Sequence, residues 1–200
     1  MGQFITKLIE MLGFAPDKTA TLVVVGLDNA GKTTLLTKLS TGKLNSSLPP
    51  TQRATDETFR LGNNTFNAWD LGGHEAVRHL WSDYSSRADG IVYMIDATDK
   101  RRFQESGEEL ENLILDLAEA TKKDVLVSEC PTPIAVLLNK YDVDGAAPME
   151  SVVLGIELEA ILEGWDVEDV APPPIEVFSC SVIENRGYQK AFQWLSSQIP

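Results

Sequence analysis

Cysteine is scarce in this 200-residue chain, which holds Cys130 and Cys180 and no others. Two thiols cannot build a disulfide framework, and so low a count suits a reducing compartment. No apolar stretch approaches the roughly 20 residues that span a bilayer, so the sequence predicts no transmembrane helix. Repeats and low-complexity tracts are missing too. Cations are in short supply: 17 Lys and Arg stand against 30 Asp and Glu, a net charge of −13. A chain this acidic is not expected to bind nucleic acid, whose phosphates require clustered cations. The deficit is uneven. Residues 1–50 carry five cations and three acids, whereas residues 141–176 carry ten acids and no cation. That block reads as a solvated outer face; its functional alternative is repulsion that turns the face away from anionic lipid. The first residues do not read as a cleavable signal, because Lys7 and Glu10 interrupt their apolar run.

What the chain has is room for one domain with a full core, at 43% hydrophobic and 24% charged residues. Short apolar runs alternate with amphipathic segments. They predict strands over 20–26, 57–61, 65–70, 90–96, 133–139 and 175–179, and helices over 32–40, 101–120, 151–163 and 187–198. The pattern is that of an α/β doubly wound sheet of six strands. Gly62-Asn63-Asn64 joins two of them as a hairpin, so one antiparallel edge strand is expected in a mostly parallel sheet. Ligands of such sheets sit beyond the C-terminal strand ends. Here several of those ends carry chemistry.

The first strand, Leu22-Val23-Val24-Val25, stops at Gly26 and continues as Leu27-Asp28-Asn29-Ala30-Gly31-Lys32-Thr33-Thr34. This is the spacing GxxxxGK[ST] between a predicted strand and a predicted helix, the setting a phosphate loop requires. The glycines let successive backbone N–H groups turn toward phosphate oxygens, and the following helix adds its positive end. Lys32 supplies an ammonium to the β- and γ-phosphates, and the Thr33 hydroxyl a ligand to Mg²⁺. The strand at 65–70 ends in Trp69-Asp70-Leu71-Gly72-Gly73-His74. Asp70 is placed to hold magnesium, and Gly73 to offer a backbone N–H to a γ-phosphate. The strand at 133–139 ends in Asn139-Lys140-Tyr141-Asp142. A carboxylate at Asp142 meets the two adjacent donors of guanine, which adenine lacks. Lys140 lays its stem along the base, and Asn139 braces the loop. After the last strand, the backbone N–H groups of Ser181 and Val182 are expected to reach the guanine oxygen. Upstream, Thr51 follows Pro49-Pro50 in a polar stretch and is positioned to add a second hydroxyl to Mg²⁺, closing on the γ-phosphate as a switch.

At the N-terminus, Phe4, Ile5, Leu8, Ile9, Met11, Leu12 and Phe14 fall on one side of a helical projection, with Thr6, Lys7, Glu10 and Gly13 on the other. Such a stripe serves a helix that caps a core or one that lies on a membrane. Met1-Gly2-Gln3-Phe4-Ile5-Thr6 also fits the myristoylation pattern, with Gly2 as the acceptor.

The segments GLDNAGKTT, WDLGGH and NKYD resemble, in order and across nearly the whole chain, the Arf/Sar family of small GTPases. The likeness leans to the Sar branch, which controls the COPII coat at the endoplasmic reticulum. His74 stands where Arf proteins carry glutamine, and Gln52 follows Thr51 as in Sar's PTQ. Gln104-Glu105-Ser106 with Glu109-Leu110, Val177 to Val182, Gly187-Tyr188 and Phe192-Gln193-Trp194-Leu195 are similar to Sar segments. Gly2 is instead an Arf trait, and residues 143–174 match neither branch. Ala54 takes the place of an Arf phenylalanine, and Trp69 and Tyr84 are expected either to frame an apolar effector patch, as the resemblance implies, or to be buried in the core.

The resemblance implies a P-loop NTPase three-layer sandwich, with an amphipathic helix over 1–17 and a GTPase domain over 18–200. It implies that GTP or GDP binds with Mg²⁺, the metal held by Thr33, Thr51 and Asp70, and that His74 orients the attacking water. Hydrolysis would be slow alone and accelerated by an arginine-finger GAP, with a guanine exchange factor reloading the protein. The expected partners are a membrane surface, met through the N-terminal helix, and coat proteins. The expected location is the cytoplasm, with cycling onto the endoplasmic reticulum. Two alternatives stand beside this: a myristoylated Arf-like GTPase of the Golgi or another membrane, and a non-hydrolysing GTP-bound scaffold. Thr51, Asp70 and His74 argue against the scaffold.

Overall fold

The runs Leu22–Val25, Ile91–Ile95 and Ile134–Leu138 are apolar at successive positions, so as strands they require cover on both faces. A computed structural model supplies that cover; it describes residues 18–45, 51, 53–123, 131–168 and 170–199. The expected N-terminal helix over 1–17, Gly2, Pro49-Pro50, Gln52 and Cys130 lie outside the described residues. The strands are β1 (Thr19–Val25), β2 (Thr55–Leu61), β3 (Asn64–Asp70), β4 (Gly90–Asp96), β5 (Ile134–Asn139) and β6 (Ile175–Ser179). They form one sheet in the order β2-β3-β1-β4-β5-β6. All neighbours are parallel except β2 and β3, whose register Leu61↔Asn64 leaves Gly62 and Asn63 as the hairpin turn. Gly62 takes φ 62°, a left-handed conformation that suits glycine.

The helices are α1 (Lys32–Thr41), α2 (Glu75–Arg78), α3 (Leu80–Ser85), α4 (Phe103–Lys123), α5 (Met149–Gly155), α6 (Leu158–Glu163) and α7 (Tyr188–Gln198). Alternation along the strands divides the core in two. Val23, Val25, Tyr93 and Val136 pack with α3 to α6, whereas Leu22, Val24, Met94 and Leu137 pack with α1 and α7. The result is a three-layer sandwich. Chain order reverses direction at β1, which pairs with β3 on one side and β4 on the other. A crevice opens beyond the strand ends at such a reversal, and β1 leads directly into the glycine-rich loop.

The structure departs from expectation in two places. The helix expected over 151–163 is broken, because Glu157 adopts φ 55° between α5 and α6. The Ile156 carbonyl just before it meets α4 at Gly107, where a Cβ would lie 2.4 Å from that oxygen. This backbone-to-backbone contact is a tertiary constraint that local periodicity does not carry. The short helices α2 and α3 likewise had no counterpart in the sequence pattern.

On the α1/α7 face, Phe59, Phe66 and Phe192 form a ring trio with centroids 5.4–5.6 Å apart. Phe192 is fully buried and ties α7 to the hairpin. Phe192→Ala should lower unfolding stability by about 3–5 kcal/mol, read by urea denaturation, because it removes a large side chain from a close-packed site.

Candidate functional site

The loop after β1 is shaped by backbone that only glycine tolerates. Gly26 has φ 125°, and a Cβ there would lie 2.1 Å from the Met94 carbonyl oxygen. Gly31 has φ 101°, and its Cβ would lie 2.4 Å from Asn139 Nδ2. Lys32 at the start of α1 folds back across the loop and donates to the carbonyls of Gly26 and Leu27, both at 2.8 Å. It is buried, and that burial pulls its pKa down to about 8, against the attraction of Asp70 and Asp28. An ammonium held this way gains strongly from an anion beside it.

At one end of the loop three side-chain oxygens converge. Thr33 Oγ1 donates to Asp70 Oδ2 at 2.6 Å and lies 2.7 Å from Thr51 Oγ1, while Thr51 Oγ1 lies 3.2 Å from the same carboxylate oxygen. Asp70, at the end of β3, is 1% exposed, and its Oδ1 is buried without a hydrogen-bond partner. Burial raises its pKa. A buried carboxylate with an orphaned oxygen and two flanking hydroxyls is a hard, oxygen-only donor set, which fits Mg²⁺. The residues expected to hold the metal are therefore brought together.

Gly72 and Gly73 press the next segment onto this corner. A Cβ on Gly72 would lie 2.6 Å from the Thr51 carbonyl oxygen, and one on Gly73 would lie 2.3 Å from Asp28 N. The Trp81 indole donates to the Gly72 carbonyl at 2.9 Å. In a trans peptide that fixes the Gly73 N–H in the opposite direction. Arg78 holds the following carbonyl: its Nε donates to Gly73 O at 2.9 Å, and its other nitrogens pair with Glu105 and Glu109 on α4 at 2.6 and 2.8 Å. His74 is exposed and caps α2, its Nδ1 accepting the Ala76 N–H at 3.3 Å. With Nδ1 acting as acceptor, the ring proton sits on Nε2, which can donate but not accept. His79 is exposed between α2 and α3.

The far end of the site is built around Asn139, at the end of β5. Its Nδ2 donates to the Ala30 carbonyl at 2.9 Å, and its Oδ1 accepts the Val182 N–H at 3.1 Å and the Cys180 thiol at 3.7 Å. Burial pushes that thiol up to about 12, so it stays protonated. Lys140, at φ 72°, pairs through Nζ with Asp96 Oδ2 at 2.6 Å. Asp142 Oδ1 accepts the Ser181 hydroxyl at 2.6 Å. One expectation is corrected here. The backbone N–H groups of Ser181 and Val182, assigned above to a guanine oxygen, are engaged inside the protein by the Arg186 carbonyl and by Asn139.

Between the two ends lies a cavity of about 460 Å³, the size of a small-molecule site. Asp28, Asn29, Gly31, Lys32, Thr33, Thr34, Thr51, Gly73, His74, Asn139, Lys140, Asp142 and Val182 line it. Ala30, Asp70 and Ser181 act from behind its wall through the contacts above. Sequence reasoning missed Val143 and Ile183, which complete the lining. It also missed Trp81 and Arg78, which hold the carbonyls of Gly72 and Gly73, and Asp96 and Arg102, whose partners Lys140 and Asp28 are distant in the chain. Trp69 and Tyr84 do meet, edge to face at 5.2 Å, packed with Ala54 against the core. No helix among the described residues is long and apolar enough to cross a membrane.

The model of the ADP-ribosylation factor family matches residues 5–199. The small COPII coat GTPase SAR1 of Giardia intestinalis is 38% identical over 99% of this chain and 98% of its own length. The protein of the same name from Nicotiana tabacum is 35% identical over 91% and 90%. ADP-ribosylation factor J of Dictyostelium discoideum is 30% identical over 100% and 94%. Among solved structures, the Arl6 small GTPase of Trypanosoma brucei with the analogue GppNp superimposes with a TM-score of 0.74 over 91% of this chain and 98% of that one. At 24% identity it speaks for the fold. The chain belongs to the ADP-ribosylation factor family of GTP-hydrolysing small GTPases, and it resembles the family's Sar members more than its ADP-ribosylation factors.

Proposed function

We propose that this GTPase is a switch that recruits a vesicle coat to membrane, Sar-like, in transport from endoplasmic reticulum to Golgi. The observation that carries the switch is the corner where two separate segments close on the phosphate loop and its strand neighbour, Thr51 on Thr33 and Asp70, and Gly73 on the backbone of residues 26–28. In this reading the phosphates lie along the backbone of residues 28–34 with Lys32 between β and γ. Thr33, Thr51 and Asp70 would hold Mg²⁺, which would supply positive charge against the negative charge that develops in phosphoryl transfer. Gly73 N–H addresses the γ-phosphate. His74 positions the attacking water through Nε2–H, a directing rather than a proton-accepting role.

No arginine lines the cavity among the described residues. Arg78 and Arg102, which hold the Gly73 carbonyl and Asp28, are committed to carboxylates. An arginine from a GAP therefore supplies the missing cation and accelerates turnover by about 10³–10⁵, and an exchange factor reloads the site. Asp142 reads guanine with the oxygen that Ser181 leaves free, over a floor made by the Lys140 stem. The names of the relatives at 38% and 35% identity support the coat as output, with the protein cytoplasmic and cycling onto the endoplasmic reticulum. The division into an N-terminal membrane helix over 1–17 and a GTPase domain over 18–200 belongs to the same proposal. The acceptor pattern at Gly2 favours a second address, a myristoylated Arf-like protein of the Golgi or another membrane.

Three outcomes are expected. Asp142→Ala should abolish a preference of about 10–100-fold for GTP over ITP, which lacks the exocyclic amine, in competition binding; persistent preference would place base choice elsewhere. His74→Leu should keep GTP affinity while GAP-stimulated single turnover falls by about 10²-fold; normal stimulated turnover would remove His74 from the mechanism. Deleting residues 1–14 should end GTP-dependent sedimentation with anionic liposomes, since one lipid chain alone binds only marginally; continued sedimentation would move the anchor to another part of the protein.

A further inference from the structure

Arg102 closes the short 3₁₀ turn Lys100–Arg102 before α4 and reaches a phosphate-loop residue 74 positions away. Its Nη1 donates to Asp28 Oδ1 at 2.8 Å, its Nη2 to the Asp28 carbonyl at 3.1 Å, and its Nε to Asp99 Oδ2 at 2.6 Å. One guanidinium thus grips Asp28 by side chain and main chain, using a planar fork that lysine does not have. As a stability device the pair is weak, because the Asp28 side chain is 46% exposed and that of Arg102 27%. Its importance lies in where it puts a carboxylate.

Asp28 lines the cavity at the end where Gly73 packs on its amide and where Thr33, Thr51 and Asp70 converge. On the reading proposed above, on which this inference rests, that end receives the γ-phosphate. A loose carboxylate there would face the most anionic part of the ligand. Both charges already act on Lys32, Asp28 supporting its ammonium and Arg102 opposing it.

We propose that Arg102 is a specificity-determining residue for the triphosphate: it clasps Asp28 toward Asp99 and keeps that carboxylate off the terminal phosphate, favouring retention of GTP over GDP. GDP has no group at that position. Losing the clasp therefore falls on GTP.

The test is titration of the full chain, with Mg²⁺, using fluorescent GTP and GDP analogues. Arg102→Ala should weaken GTP by about tenfold and GDP much less, because a carboxylate stripped of its partner beside a like charge is strongly unfavourable. The double variant Asp28→Asn with Arg102→Ala should restore the wild-type GTP:GDP ratio, although the contact to Asp99 stays lost. A structural role for Arg102 would not be rescued in this way. Raising the salt concentration should narrow the Arg102→Ala defect. Should Arg102→Ala fail to hold GDP, Arg102→Gln, which retains most of the side-chain volume, carries the same comparison. Equal losses of both nucleotides, or a double variant that fails to restore the ratio, would overturn the inference alone. Wild-type protein that bound neither nucleotide would overturn the nucleotide reading with it.

Discussion

The carboxamide of Asn139 is the constraint on which the site depends. It is buried and spends both its donor and its acceptor on backbone, joining the Ala30 carbonyl to the Val182 amide. Three loops, from the ends of β1, β5 and β6, are thereby locked into one frame. Gly31 is required by the same contact, since any side chain there would displace the carboxamide. Lys38 on α1 adds a second tie by donating to the Val182 carbonyl at 2.9 Å. Buried polar groups satisfied on all sides specify one arrangement and penalise the alternatives. The base end of the cavity is accordingly a preformed wall.

The phosphate end is assembled differently. Thr51 reaches it through one hydroxyl shared with Thr33 and Asp70, and Asp70 retains an oxygen without a partner. Burial alone drives Asp70 and Lys32 toward their neutral forms, one pKa raised and the other lowered. A metal–triphosphate pair meets both demands together, setting a cation against the carboxylate and an anion against the ammonium. Closure of this corner is therefore coupled to the ligand charge in a way that the Asn139 frame is not. On the proposed function, a fixed end that would read identity beside a conditional end that would read phosphate number supplies the physical basis of a switch.

Net charge is a poor guide to such a site. The chain is strongly acidic, yet its cavity suits a polyanion, because backbone N–H groups, a helix end and one buried lysine act locally. The described acids of the 141–176 block bear this out. Asp144, Glu150, Glu157, Glu159, Glu163, Asp166, Glu168 and Glu176 are exposed, as a solvated face predicts, and Asp142 alone among them lines the cavity.

How much the sequence could reveal follows from how local each determinant is. All six strands were legible to within about two residues, because an apolar run flanked by turns is a local signal. The phosphate loop, the Asp70–His74 segment and Asn139–Asp142 were legible because each is a short stretch whose chemistry requires its spacing. The break between α5 and α6 was not, since the Ile156 carbonyl just before Glu157 packs on a glycine of another helix. Nor could the sequence show that the Ser181 and Val182 amides are already taken, one by a bridge to Arg186 and the other by Asn139. Arg102 is the clearest case. In sequence it ends a run of three cations, Lys100-Arg101-Arg102, to which no local pattern assigns a partner. Only the crossover from β4 to α4, parallel to β1 and its loop, sets it against Asp28. Charge pairs of this kind belong to topology, and they become visible only after the sheet has fixed which strand ends are neighbours.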